Sequence, residues 1–446
     1  MVSAYVFMSP VSSSMMAPTS HRIAAQFGVT NETVVALLTS MFLGGYAPGP
    51  LILGPMSEVF GRQRVLQLAN FWYLVWNFAC AWARNERELL AFRFLSGFGG
   101  NGLLAIAGGV LGDVWRPEQR GQAVAVYTLA PLLGPVVGPI CGAWIAEKGD
   151  WRWVFWAPTI VAVVVQLVGL LVLEETYPPV LLARKAKRFR KELADSERGD
   201  RHPRVRTVFD GADRKWNSIV QKALIRPFML FFREPIIQLL GSYMAFIYGT
   251  LYLFLTTIPL IFQGIYQESL GIAGLNYIAL GIGLSGVSQI SARLLDVVYT
   301  RLTKKNGGVG KPEYRLLFMF PGTILLPAGL LITGWTARAS VHWIVPDIGI
   351  VLVGAGMILN FQSIQIYIID AFTLHAASAI AAVTFFRSVA ACVFPLFAPA
   401  MYNALGYGKG NTILACAAIA IGAPSPILFW LYGERIRKAS RYAKHA

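Results

Sequence analysis

Apolar residues fill this chain in long runs, and polar residues collect between them. A helix needs about 20 apolar residues to cross the hydrocarbon of a bilayer. Runs of that order lie near 1–18, 33–53, 65–83, 88–112, 121–146 and 153–174. A polar stretch from about 176 to 234 follows, then further runs near 235–264, 275–299, 315–335, 343–369, 376–402 and 410–432. The pattern predicts six spanning helices, a long loop and six more, an internal duplication of the kind secondary transporters use. It divides the chain into a first bundle at 1–175, a central loop at 176–234, a second bundle at 235–433 and a tail at 434–446. The first run is the least regular: "SPVSSSMMAP", Ser9 to Pro18, is polar and broken by proline, and no basic residue precedes it, as if the chain started late without an N-terminal tail.

Composition agrees. Of 446 residues, 55% are hydrophobic and 14% charged, against about 25% charged in soluble chains. Mean hydropathy is +0.54. Such a surplus of apolar residues must face lipid. The net charge of +16 admits two explanations, nucleic-acid binding or a cytoplasmic membrane face, and its placement decides. Arg62 and Arg64 follow the second run, Arg116 and Arg120 the fourth, Arg184 to Lys191 the sixth, Arg301, Lys304 and Lys305 the eighth, and Arg435 to Lys444 close the chain. An even number of spans separates successive groups, so one face holds them all. By the positive-inside rule that face is cytoplasmic, with both termini on it. The expectation is a multi-pass protein of the plasma membrane, monomeric, with no nucleic-acid partner. The basic run Arg184 to Lys191 could lie on anionic lipid or form a solvated linker, and 195–214 has the composition of flexible chain.

The spacing G-x-G-x-x-G at Gly97 to Gly102, "GFGGNG", would suit a dinucleotide if a strand preceded it and a helix opened within it. Here it lies inside one apolar run. Gly97, Gly100, Gly108 and Gly112 are therefore expected to let a neighbouring helix pack closely. Cys80, Cys141, Cys392 and Cys416 sit in apolar runs without metal-ligand spacing and are expected to be small buried hydrophobes. With no metal cluster and no nucleophile elbow, neither a cofactor nor an enzymatic site is expected.

Four features carry chemistry. In "GPMSEVFGRQR", Gly54 and Gly61 permit a tight turn, and Glu58, Arg62 and Arg64 place both signs of charge beside Asp113 at one membrane edge. Such a network could hold two helix bundles in one state and release them in another, or merely set topology. Arg93 lies within an apolar run, where an arginine costs roughly 2.5–3.5 kcal/mol on insertion scales and usually faces a cavity or partner, unless it snorkels. In "APLLGPVVGPICG", Pro135 and Pro139 bend a helix, and Gly134, Gly138 and Gly142 form a small-residue stripe. Arg387, with Asp370 at the end of the preceding run, needs a partner or water if deep.

These segments resemble the major facilitator superfamily, and within it the twelve-span drug:proton antiporters of fungi. Gly54, Glu58, Gly61 and Arg62 are similar to its loop motif between spans two and three, with Gln63 where a basic residue is common. "RFLSGFG", Arg93 to Gly99, is similar to its span-four motif, whose arginine is implicated in proton coupling. "GPVVG", Gly134 to Gly138, resembles the span-five antiporter motif, with Ala130 and Pro139 departing from it. Ala292, Asp296 and Arg301 form a degenerate echo of the loop motif. "EETYPPVLLARKAKRFRKE", "RPFMLFFREPI" and "YIIDAFTLHAASAIAAVTFFRSVAACVFPLF" resemble stretches of the fungal group. The resemblance implies two six-helix bundles related by a pseudo-two-fold axis, alternating access around a central site, and a proton gradient as driving force with no bound cofactor.

Substrate sites of such proteins lie near the midplane. The candidates there are Asn101, Tyr243, Tyr248, Tyr252, Asn360, Gln362, Gln365 and Arg387. A polycation would need carboxylates, yet Glu58, Asp113, Asp347 and Asp370 all fall near span ends. Export of a small, hydrophobic, neutral or anionic molecule, such as a drug, toxin or secondary metabolite, is expected. An importer or a polyamine:proton antiporter of the same fold is the alternative, and a non-transporting membrane sensor is more distant.

Overall fold

In the computed structural model of the chain, every regular element among the described residues is helical. The description leaves out residues 116, 197–215, 309, 373–374, 441 and 444–446, and the side chains of 112, 117–126, 192–196 and 216–223. Arg116, Arg441, Lys444, the Arg120 side chain and most of the stretch expected to be flexible fall outside it.

Span one is Val2–Ser14, carried on by Ala17–Thr19 and Ser20–Phe27. Span two comprises Glu32–Tyr46 and Gly49–Phe60, span three Arg62–Ala81, span four Glu86–Val114, span five Pro117–Lys148 and span six Trp153–Val172. Helices Pro178–Ser196 and Trp216–Arg233 occupy much of the central loop. Span seven is Pro235–Gly264, span eight Leu270–Lys305, span nine Pro312–Thr336 and span ten Ile344–Ala371. Spans eleven and twelve run from Ala376 to Ala439 and are divided at Gly406, whose φ of 74° lies outside helical space. The chain turns back there: Tyr402 Oη and Asn411 Oδ1 are 2.6 Å apart, a distance that a straight helix would stretch to roughly 13 Å.

Nine stretches of the described residues are long and apolar enough to cross a membrane, the last holding both of these final spans. Spans one and three fall below that measure. Span one breaks after 13 residues, and span three opens on "RQR" and buries Asn70 and Asn77. Local chemistry sets the starts. Asn31 accepts from Thr33 N at 2.9 Å, and Asn85 from Glu88 N at 2.9 Å, with Glu88 reaching back to Arg84 N, as helix N-caps do.

Small residues and polar pairs join the helices, since lipid gives them no hydrophobic reason to associate. Gly134, Gly138 and Gly142 lie against Pro10 to Met15 of span one, and Gly97 lies against the backbone of Phe42. Among the described residues nothing lies close to Gly108, and Gly112 is outside the description. Asn70 donates to Gln166 at 2.7 Å and Asn77 to Thr159 at 2.8 Å. Side chains such as Leu171, Trp82 and Leu431 point outward. Cys141 and Cys416 are exposed among them, Cys392 is half-buried, and only Cys80 is fully buried. The expectation of four buried cysteines fails because an apolar run in a bilayer has apolar surroundings on its outer side too.

The two bundles are sealed together at the face opposite the basic loops. There Gly271 N donates to Glu147, and Asn403 donates to Glu32 at 2.9 Å. Gly274 packs on Ala143, and Gly281 on Val136. At the basic face the central-loop helix Trp216–Arg233 lies against Gly49–Phe60 of span two.

Candidate functional site

The loop after span two is built around Gly61. Its φ is 100°, and a Cβ there would run into the Glu175 carboxylate, so only glycine serves. Glu175, its side chain 1% exposed, accepts from the backbone N–H of Arg62 at 2.8 Å and of Thr176 and Tyr177 at 3.1 Å. Arg62 thus held donates to Asp113 at 3.2 Å and Ser57 at 2.7 Å, and stacks over Tyr177. Glu58 and Arg64 are exposed and stand outside this network. Gly54 lies inside a helix, so it does not make the turn expected of it. The buried carboxylate that matters is Glu175, within the "EETYPP" stretch, which sequence reasoning did not single out.

The second half repeats the arrangement. Arg315 donates to Asp370 at 3.2 Å and Asp296 at 2.9 Å, and lies 4.0 Å over the Tyr299 ring. Arg315, not the exposed Arg301, is the basic member of the echo. Asp370 therefore serves Arg315 and is not the partner of Arg387.

Arg93 is fully buried. It donates to Ser12 O at 2.9 Å, Ser13 O at 3.1 Å and Thr39 O at 3.0 Å, with Phe42 4.6 Å away. The carbonyls of Ser12 and Ser13 lie where span one breaks, and helix C-termini leave such groups unpaired. The arginine satisfies them and brings a cation to the negative end of that helix. It does not snorkel. Around it, three serines of span one reach tyrosines of three other helices: Ser9 to Tyr46 at 2.6 Å, Ser12 to Tyr73 at 2.5 Å and Ser13 to Tyr252 at 2.9 Å. These serines, which made span one look irregular, were the missed signal of a polar hub.

The midplane candidates separate into two sets. Tyr243 packs under Gly422. Asn101 donates to Tyr46 O at 2.6 Å, and Asn360 to its own helix at Gly356 O. Tyr252 is held by Ser13, and Gln362 is engaged by Ser288 and Ser291, both at 2.6 Å. Beside that pair, span eight carries a π-helical turn at Ile282–Gly286, a feature frequent at functional sites. Tyr248 and Arg387 are half-buried although they lie near mid-span, and Gln365 is half-buried in the last two turns of span ten. Arg387 stands roughly 16 Å along the helix from Ala376. Its guanidinium lies 5.0 Å from the Tyr248 ring and 5.1 Å from the Phe361 ring. Near the sealed face, a cavity of about 180 Å3 lies between the halves, with His21, Glu32, Tyr402 and Asn403 in its wall. Outside the spans, burial pushes the Glu268 carboxyl above its usual range, partly offset by its hydrogen bond from Asn276.

The profile of the Major Facilitator Superfamily matches residues 2–395. Efflux pump vrtL of Penicillium aethiopicum is 43% identical over 442 residues, spanning 99% of this chain and 86% of that protein. Efflux pump radE of Floropilus chiversii is 40% identical over 442 residues, spanning 99% of this chain and 80% of its own. The xylose transporter XylE from E. coli, in a partially occluded inward-open conformation, superposes with a TM-score of 0.70 at 16% identity, covering 97% of this chain and 96% of that one. At that identity the likeness speaks for fold alone. With matched six-helix bundles, a repeated arginine–carboxylate bracket and relatives along its whole length, the chain belongs to the major facilitator superfamily and is one of its secondary transporters.

Proposed function

We propose that the chain exports a small hydrophobic organic molecule, neutral or anionic, in exchange for protons. The observation that carries this reading is the half-buried pair Tyr248 and Arg387, near mid-span between the two bundles. The relatives named as efflux pumps support the direction. The bent "GPVVG" seam, Gly134, Pro135 and Gly138, fits an antiporter. Protonation steps would act through the helix junction that Arg93 holds, and the proton gradient, not a bound cofactor, supplies the drive. The absence of Asp or Glu from the span centres argues against polyamines.

In this reading the basic loops and both termini are cytoplasmic, the sealed face is external, and the protein works as a monomer in the plasma membrane. Residues 1–175 and 235–433 rock against each other, with 176–234 linking them and 434–446 as a tail. The test is flux in vesicles under an imposed pH gradient. Hydrophobic neutral or acidic compounds should move against protons and spermidine should not. Carriage of spermidine alone would overturn the reading.

A further inference from the structure

Two arginines lie inside apolar spans, and the chain treats them in opposite ways. Arg93 is closed off by three carbonyl oxygens. Arg387 makes no hydrogen bond among the described residues; the buried Nε of each arginine lacks an acceptor, so the difference between the two is the three carbonyls that hold the terminal nitrogens of Arg93. The ionisable groups in electrostatic reach of it are Tyr248, Tyr252, Tyr46 and Tyr127, with no carboxylate among them. Tyr46 and Tyr127 come from the first bundle and Tyr248 and Tyr252 from the second, so the guanidinium faces the space between the halves. A cation at this depth without a counter-charge is costly, and buried charges are normally paired. The protein supplies no pair at this place.

The geometry points to Arg387 as the anion-binding residue of the transport site, for a substrate that carries a delocalised oxyanion, such as a carboxylate, on a flat apolar ring system. This deepens the export reading above and rests on it. Rings stand near the guanidinium on two sides, Tyr248 and Phe361, with 6.5 Å between their centroids and 32° between their planes. Rings so placed hold the guanidinium by cation–π contact, and with no protein acceptor on its terminal nitrogens their N–H groups are available for two oxygens at once. The same rings offer flat apolar surface to the rest of the molecule. A neutral molecule would leave the cation unpaired, and an organic cation would be repelled.

The test uses the purified full chain in lipid nanodiscs at neutral pH, with naphthoate and its neutral isostere naphthamide as probes and calorimetry as readout. The wild type should bind naphthoate about tenfold tighter than naphthamide. Arg387→Gln should erase that preference and leave naphthamide within about twofold of its wild-type affinity. Arg387→Lys, a point charge without a planar fork, should keep part of the preference. If Arg387→Gln does not fold, Arg387→Lys and Tyr248→Leu carry the test, each lowering the ratio. A wild type that binds the two probes equally, or neither, overturns the assignment, as does a variant with the ratio unchanged. Vesicle flux separates this from the export reading. Proton-driven movement of neutral compounds with no gain for their acids defeats the anion site alone. No movement of any organic compound defeats the export reading itself.

Discussion

Arg62 donates to Asp113 across 3.2 Å, tying the first turn of span three to the last turn of span four. Arg315 and Asp370 tie spans nine and ten at the same separation. The sites lie in different halves, so the bracket is duplicated along with the bundles that it closes. Both partners in the first bracket are largely shielded, with side-chain exposures of 12% and 17%. Asp113→Asn should cost roughly 1–2 kcal/mol of stability. A double-mutant cycle with Arg62→Ala, read by thermal unfolding in detergent, should give a coupling of about the same size. Strict additivity would show that the pair is decorative.

Gly61→Ala should be worse than either. The residue is held at φ 100° with a carboxylate against its α-carbon. Positive φ costs a non-glycine residue roughly 1–3 kcal/mol, and the methyl group must also displace Glu175. Membrane abundance of the variant should fall severalfold on immunoblots. Glu175→Gln, which keeps one acceptor oxygen, should fall less.

Arg93→Ala removes the donor to the two helix-terminal carbonyls of Ser12 and Ser13, so the protein should lose roughly 2–6 kcal/mol of stability at about 1–3 kcal/mol per group. It should also lose flux driven by a pH gradient. Counterflow, which needs no gradient, distinguishes the two effects. Retained counterflow with abolished driven flux supports coupling through Arg93, and unchanged driven flux rejects it.

At the sealed face, Glu32→Gln should have little effect on stability, because the bond to Asn403 is exposed and such bonds contribute about 1 kcal/mol at most. Its effect should appear in labelling. A cysteine at Tyr407, in the wall of the adjoining cavity, should react severalfold faster with an impermeant maleimide when the bond is gone.

Much of this was legible in the pattern of apolar runs. Twelve spans, the depth of Arg93 and the Arg62–Asp113 bracket all follow from where polar residues interrupt them. Residue spacing along one strand of chain could not reveal pairings made in space. Arg315 meets Asp370 across two helices, and the local echo pointed to Arg301 instead. Glu175 looked like one more loop acid because its caps are backbone groups that carry no sequence signal. Cys141 and Cys416 misled for a different reason. Outward and inward faces of a membrane helix are both apolar, so composition cannot say which is which. Gln362, by contrast, looked like a ligand contact and is absorbed by Ser288 and Ser291.

Ser13 binds in two directions. Its hydroxyl meets Tyr252 of the other bundle at 2.9 Å, and its carbonyl accepts from Arg93 at 3.1 Å. One residue thus joins the partner bundle through its side chain and the buried cation through its backbone, so any separation of the bundles at Tyr252 bears directly on the peptide that holds Arg93.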